Sequence, residues 1–357
     1  MIPERPLRAA ILGATGAVGQ RFIALLENHP WLEVARVAAS ERSAGKRYRE
    51  ACGWLLQTTM PARIGEMVVD DVYSPGGVDL AFSALNSEIA GEVELQWARS
   101  GVPVFSNARN HRMESDVPLM IPEINPEHLG LLQVQETSRG FPWPGFIVTN
   151  ANCSSTFLAM ALAPLHRAFG VEQVSVVTLQ ALSGAGYPGL SALDTTGNVI
   201  PFIGGEESKL ETEPQKILGR FIGGAVEHAP MVISAQVNRV PVIDGHTESV
   251  AVRLSNAASL EDVRRVLQDF SGEPQAEGLP SAPSRPIVVL DDPDRPQPRL
   301  DADRERGMVT FVGGLRPCPV FDFKMTVLGH NTVRGAAGGS ILNAELAVAR
   351  GLLGGLS

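Results

Sequence analysis

The chain is 357 residues long, enough for two domains of ordinary size, and its 44% hydrophobic and 19% charged residues exclude a disordered, collagen-like or coiled-coil protein. Thirty basic against 39 acidic residues leave a formal charge of −9, which speaks against nucleic acid as a partner and means that an anionic substrate needs a local cationic pocket. Cys52, Cys153 and Cys318 form no CxxC pair and are odd in number, so neither a disulfide framework nor a zinc site is expected, and a reducing cytoplasm fits. No apolar run approaches the ~20 residues of a spanning helix, and the first 13 residues lack the layout of a signal peptide, so no membrane association is expected.

Residues 8–38 read as strand, glycine-rich turn, helix, strand: an apolar run enters Gly13-Ala-Thr-Gly-Ala-Val-Gly19, after which Phe22, Leu25 and Leu26 recur at helical spacing. Glycines at 13, 16 and 19 allow a tight turn and close backbone approach, so that the amides of a helix start can face a pyrophosphate. The bland alternative is a left-handed turn in a chain with 36 glycines. After the second strand come Ser40, Arg42 and Ser43, suited to a 2′-phosphate, with Glu41 beside them, suited to a free 2′-hydroxyl; NADP is favoured over NAD, and a solvated turn is the alternative. Strand candidates at 78–82, 102–105 and 146–149, with a helical stretch at 87–99, continue the alternation of a parallel, doubly wound, Rossmann-like sheet.

Beyond residue 153 the texture changes. A helix over about 154–168 leads into β-branched runs at 171–179, 231–240, 246–254, 308–312 and 321–328, the pattern of an α+β layer with a mainly antiparallel sheet. The stretch 274–298 carries seven prolines and is expected to be extended or looped, with an edge strand at 287–290. Residues 331–353 end helical, long enough to pack back on the first half. The division expected is an NADP-binding domain at 1–153, completed by 331–357, and a catalytic and dimerisation domain at 154–330.

Cys153 follows a buried-looking strand and opens a helix that Asn or Ser can cap, a position that lowers a thiol pKa and supplies amides for an oxyanion. Cys52 and Cys318 read as ordinary packing cysteines. His246 stands in a glycine-bounded turn before a strand, with Arg239 on the strand before it; a turn histidine of this kind is more often structural. Glu206 and Lys209 share one helix face, which by itself reads as a solvated ion pair.

Taken together, Gly13–Gly19, Ser106-Asn-Ala-Arg-Asn-His-Arg-Met113, Asn152-Cys-Ser-Ser155, Ser183-Gly-Ala-Gly-Tyr-Pro-Gly189, Arg239-Val-Pro-Val-Ile-Asp-Gly-His246, Asp294-Arg-Pro-Gln-Pro-Arg-Leu-Asp301 and His330–Gly339 resemble segments of the aspartate-semialdehyde dehydrogenases of archaea and fungi, in family order. The resemblance runs along nearly the whole chain. It implies that Cys153 is the nucleophile, His246 the acid/base and Gln180 the group that orients the reacting carbonyl. It further implies that Arg239 holds a substrate carboxylate and Glu206 its ammonium, with Lys209, Arg112 and Asn107 forming a phosphate pocket and Asn152 lining the substrate site. Gly13, Thr15, Gly16, Val18, Gly19, Ser40, Arg42, Ser43, Ser83, Ser183, Gly184 and Asn331 are implied to contact NADP. Where the family commonly has proline two residues before the nucleophile, this chain has Ala151, which loosens that loop.

The activity implied is NADPH-dependent conversion of β-aspartyl phosphate to aspartate semialdehyde through a Cys153 thioester, in a homodimer or homotetramer and without a metal. An acyl-CoA reductase such as a malonyl-CoA reductase on the same scaffold, or a catalytically silent NADP-binding protein, are the alternatives.

Overall fold

The computed structural model describes residues 2–353; residue 1 and residues 354–357, the end of the segment expected at 331–357, lie outside the described residues. The first half forms one sheet from β1 (Leu7–Leu12), β2 (Leu32–Ala39), β3 (Asp70–Asp71), β4 (Leu80–Ser83), β5 (Val104–Ser106), β6 (Leu119–Met120) and β7 (Ile147–Asn150), with α1 (Ala17–Leu26), α2 (Ser87–Arg99) and α3 (Leu131–Arg139). Its seven strands lie in the order β3-β2-β1-β4-β5-β7-β6, every pair parallel. The order reverses beside β1, and at such a switch point the strand ends leave a crevice for a ligand.

The second half opens with α4 (Cys153–Phe169), runs through β8 (Val171–Gln180), α5 (Glu206–Ile217), the hairpin β9 (Arg220–Ile222) and β10 (Ala225–Glu227), β11 (Val232–Arg239), β12 (His246–Leu254), α6 (Leu260–Gln268), β13 (Ile287–Val289), β14 (Thr310–Pro317) and β15 (Phe323–Gly329), and ends in α7 (Gly338–Ala349). Six strands form a sheet in the order β11-β8-β12-β15-β14-β13. Its three central pairs are antiparallel, as the strand-after-strand pattern implies, but both outer pairs, β8 with β11 and β13 with β14, are parallel. The sheet is therefore mixed. The cause on one side is α5: a helical crossover brings the chain back in the direction it left, where a tight hairpin would reverse it.

α4 is buried along almost its whole length and carries the core of the second half, with Phe157, Leu158, Met160 and Leu162 fully enclosed. The proline-rich stretch is mostly irregular, and 287–289 pairs at the sheet edge as expected. α7 returns to the first half: Ile341, Leu342 and Leu346 pack in one core with Ile11, Phe22 and Phe82. The segment leading into α7 reaches further still, since a Cβ on Gly335 would stand 2.8 Å from the Cβ of Cys153. No helix of the described residues is long and apolar enough to cross a membrane.

Candidate active site

The glycine loop shows why three glycines stand at these spacings. Gly13 has φ +80°, and a Cβ there would lie 2.6 Å from the carbonyl oxygen of Ala84; a Cβ on Gly19 would lie 2.3 Å from the carbonyl oxygen of Gly13. Both positions exclude a side chain. Gly16 is exposed, a Cβ there would meet the carbonyl oxygen of Gly13 at an ordinary contact distance of 3.4 Å, and it caps α1 without any side-chain hydrogen bond, so the first amides of α1 remain available to an anion. Buried Gln20 fixes the loop from behind, donating to the carbonyls of Thr15 and Gly53, both at 3.1 Å, and accepting from the amide of Leu55 at 2.7 Å. Nothing in the local pattern distinguishes this glutamine from a helix-surface residue. Ser40 and Arg42 are exposed and Ser43 half-buried in the turn after β2, with Arg42 free of any ion pair among the described residues. These backbone amides and this cationic turn fit a phosphorylated dinucleotide.

From Val18 a cavity of about 320 Å³ runs to Cys153, walled by Asn107, Arg112, Asn152, Ser183, Gly184 and Asn331 among others. Ser83, by contrast, turns its hydroxyl away from the cavity and donates to buried Glu94 at 2.6 Å; the wall at that point is made by Ala84, Leu85 and Asn86. Asn331 holds the Ser183 loop in place, donating to Ser183 Oγ at 2.8 Å and accepting from the amide of Gly245 at 2.9 Å.

Cys153 is the first residue of α4. Asn152 caps that helix, its Oδ1 accepting from the amides of Ser154 and Ser155 at 3.0 and 3.3 Å. The lowered thiol pKa expected from the helix start is reversed: burial first, and the Glu206 carboxylate second, push Cys153 up to about 12, outweighing Arg112, the Ser154 amide and Lys209. In the ligand-free site Cys153 is therefore a thiol. The sequence showed the helix start but not the carboxylate that folding brings beside it.

Glu206 is the centre of a polar cluster. It accepts from Lys209, from Asn152 Nδ2 at 3.0 Å and from Gln180 Nε2 at 3.4 Å. Although burial works against ionisation, these partners, Lys209 foremost, hold its carboxyl below the usual range. Arg112 is also paired, with Glu213 at 2.9 Å, and its second nitrogen donates to the carbonyl of Asn107 at 2.8 Å. Arg239 ends β11 next to β8, where it donates to the carbonyl of Ala181 at 2.7 Å and forms no ion pair among the described residues.

His246 opens β12 and is fully buried. Its Nδ1 accepts from the amide of Ala181 at 3.0 Å, and because an amide can only donate, the neutral ring carries its hydrogen on Nε2. That nitrogen has no partner among the described residues. Burial first, then Arg239 and His330, lower the imidazole pKa to about 3. Gly184 lies over both residues, since a Cβ on it would come within 2.8 Å of Arg239 Nη1 and 3.1 Å of His246 Nε2.

The fold therefore gathers Cys153, His246, Arg239, Gln180, Glu206, Lys209, Arg112, Asn107 and Asn152 around one end of the cavity and leaves the 2′-phosphate candidates Ser40, Arg42 and Ser43 on the turn beyond β2. Residues 8–132 match the family described as semialdehyde dehydrogenase, NAD binding domain, and residues 162–334 match semialdehyde dehydrogenase, dimerisation domain. An aspartate-semialdehyde dehydrogenase of Methanothermobacter thermautotrophicus is 49% identical over 344 residues, 95% of this chain and 98% of the relative. One of Candida albicans is 45% identical over 361 residues, 97% of this chain and 99% of the relative. The chain belongs to the aspartate-semialdehyde dehydrogenase family.

Archaeal and fungal members are thus both near relatives. The solved Candida albicans enzyme with NADP superposes with a TM-score of 0.90 at 44% identity, covering 97% of this chain and 99% of that one. A Vibrio cholerae aspartate-semialdehyde dehydrogenase II complexed with ASA is more distant, with a TM-score of 0.77 at 26% identity and coverage of 97% and 99%. Three buried residues of the site had escaped the sequence: Gln20, Glu213 and Glu94. Each is a polar side chain in an amphipathic helix, and no spacing separates such a residue from a solvated one.

Proposed function

We propose that this protein is the NADP-dependent aspartate-semialdehyde dehydrogenase of its host, converting β-aspartyl phosphate to aspartate semialdehyde for aspartate-family amino acids. The observation that carries the reading is the charge pattern around Cys153. Two carboxylates, Glu206 and Glu213, and three cations, Lys209, Arg112 and Arg239, stand there; with Glu213 engaged by Arg112 and the Asn152 amide, Glu206 is the carboxylate left to meet an ammonium, and the cations suit a substrate that also carries a carboxylate and an acyl phosphate. An acyl-CoA such as malonyl-CoA would leave Glu206 facing no ammonium.

Cys153 Sγ forms the bond to carbon in either direction. On the acyl phosphate it expels phosphate and leaves a thioester; on the aldehyde it gives a thiohemiacetal. NADPH, held along the glycine loop and beside Ser183 and Asn331, supplies when bound the hydride that interconverts the two. Arg239, anchored through one nitrogen on Ala181, offers its remaining donors to the substrate carboxylate. The substrate ammonium competes with Lys209 for Glu206. In doing so it frees Lys209 for phosphate and offsets the Glu206 field, the second cause of the raised Cys153 pKa after burial, so the substrate itself favours the thiolate.

Asn152 spends its backbone amide on Glu213, at 2.7 Å, which leaves the amide of Cys153 itself and Nε2–H of His246 as donors for the oxyanion. His246 keeps its Nε2 proton and donates it as a hydrogen bond to the oxygen while that oxygen carries negative charge, the Ala181 amide holding Nδ1 and with it this tautomer throughout. The family's dimerisation domain and the exposed Leu179 and Val232 on the six-stranded sheet support self-association, as a homodimer or homotetramer.

The test is reduction of NADP by aspartate semialdehyde with and without phosphate, with NAD in parallel. Turnover that requires phosphate and prefers NADP supports the reading. Turnover of malonyl-CoA in place of the aspartyl substrate overturns it.

A further inference from the structure

Glu213 lies two turns after Glu206 on α5, on the same face, and is 2% exposed. None of the chemical steps above uses it. Its two oxygens are divided between the two halves of the site: Oε1 accepts from Arg112 Nη1 at 2.9 Å and Oε2 from the backbone amide of Asn152 at 2.7 Å. Arg112 has one other fixed acceptor, the carbonyl of Asn107, and its Nε is buried without a partner. Asn152 is the residue before the nucleophile and the cap of its helix. One turn beyond Glu213, buried Lys216 donates to the carbonyls of Arg112, Glu114 and Val117 at 2.8, 2.7 and 2.8 Å, so the backbone that carries Arg112 is fastened to the same helix.

We propose that Glu213 is a positioning residue that ties the phosphate-pocket guanidinium of Arg112 to the backbone in front of Cys153, so that the place where phosphate sits and the place from which the thiol attacks are set by one carboxylate. The proposal rests on the reading of Arg112 as a phosphate ligand. A carboxylate fits this task because it accepts from two directions at once, whereas an amide of the same shape offers one oxygen and a nitrogen that faces the guanidinium as a second donor.

The two bonds come apart in two variants. Glu213→Gln keeps an oxygen for the Asn152 amide and removes the partner of Arg112. Its KM for phosphate, measured in the oxidative direction with the full-length enzyme, is expected to rise roughly 5-fold or more while kcat stays within about 3-fold. Glu213→Ala releases the Asn152 backbone as well, and kcat is expected to fall roughly 10- to 100-fold, the scale of a small misplacement of reacting groups. A second readout needs no substrate: the rate at which iodoacetamide alkylates Cys153 is expected to respond to inorganic phosphate in the wild type and to lose that response in Glu213→Gln.

Should Glu213→Ala not fold, Glu213→Gln decides alone. Unchanged phosphate KM and unchanged phosphate response of alkylation in a folded Gln variant would overturn the proposal and leave Glu213 a packing residue. A lower phosphate KM would overturn it too, because Glu213 would then act as a charge that weakens anion binding. Absence of phosphate-dependent turnover in the wild type, with alkylation still responding to phosphate and to Glu213→Gln, would sink the proposed function and spare this inference.

Discussion

At the glycine loop, contact with a ligand is left to the backbone: Gly13 and Gly19 are bare because carbonyl oxygens stand where a Cβ would go, and Gly16 opens α1 with its amides uncapped. Around Cys153 the work falls to side chains, and nearly every charge there already has a partner, Lys209 on Glu206 and Arg112 on Glu213. The first region is shaped by steric exclusion, from within the loop at Gly19 and from the Ala84 carbonyl packed on Gly13. The second is shaped by buried ionic groups from distant segments, where each group keeps its charge because another compensates it. A substitution at the loop should therefore act on stability and cofactor affinity, and one at the pocket on turnover and substrate affinity.

The largest effect expected is that of Cys153→Ala, which should lower turnover roughly 10⁴-fold or more while NADPH binding, followed by fluorescence, is unchanged. Turnover near the wild-type level would remove Cys153 from the chemistry. Gly19→Ala tests the opposite region. With its Cβ directed 2.3 Å from a backbone oxygen it should cost roughly 1 to 3 kcal/mol in denaturant unfolding, and a neutral result would mean that the loop is softer than its contacts imply.

Arg239→Lys keeps the charge and loses the planar fork, so KM for aspartate semialdehyde should rise roughly 10-fold; an unaltered KM would place the substrate carboxylate elsewhere. His246 yields a pH effect with a definite sign. Its folded pKa, about 3, lies below the ordinary 6.5, so within that window the unfolded chain binds a proton that the folded one refuses. Stability should fall as pH drops from 6.5 towards 3, by up to about 1.4 kcal/mol per pH unit from this group, and His246→Gln should flatten that slope. A slope identical in the variant would assign the acid sensitivity to other groups. Gly16→Ala should have the smallest effect on folding, within about 0.5 kcal/mol, while weakening NADP binding measurably; equal affinity would move the pyrophosphate away from the start of α1.

The parallel half was legible in the sequence because each of its units is local: strand, turn and helix follow one another, and the glycine spacing lies within seven residues. The α4 cap was legible for the same reason, since Asn152 reaches amides two and three residues on. The strand-after-strand pattern of the second half implies a mainly antiparallel sheet but carries no sign of its two parallel outer pairs, because strand direction depends on where a connection returns and not on the strand's own residues. The pKa of Cys153 was expected on the wrong side for a related reason. A helix start is visible in sequence, whereas the burial of Cys153 and, second to it, the approach of Glu206, 53 positions later, arise only in the folded chain.

What the sequence determined by itself, then, was the order of the elements, the glycine turn, the capped cysteine and, through seven segments resembling one family, the family to which the chain belongs. The tertiary structure decided the state of the groups around that cysteine: a thiol and not a thiolate at Cys153, the Nε2–H tautomer of His246, and both Arg112 and Lys209 already paired. The physical reason is that protonation and pairing depend on burial and on charges within a few ångströms, and these distances are set by long-range packing between segments that the sequence keeps far apart.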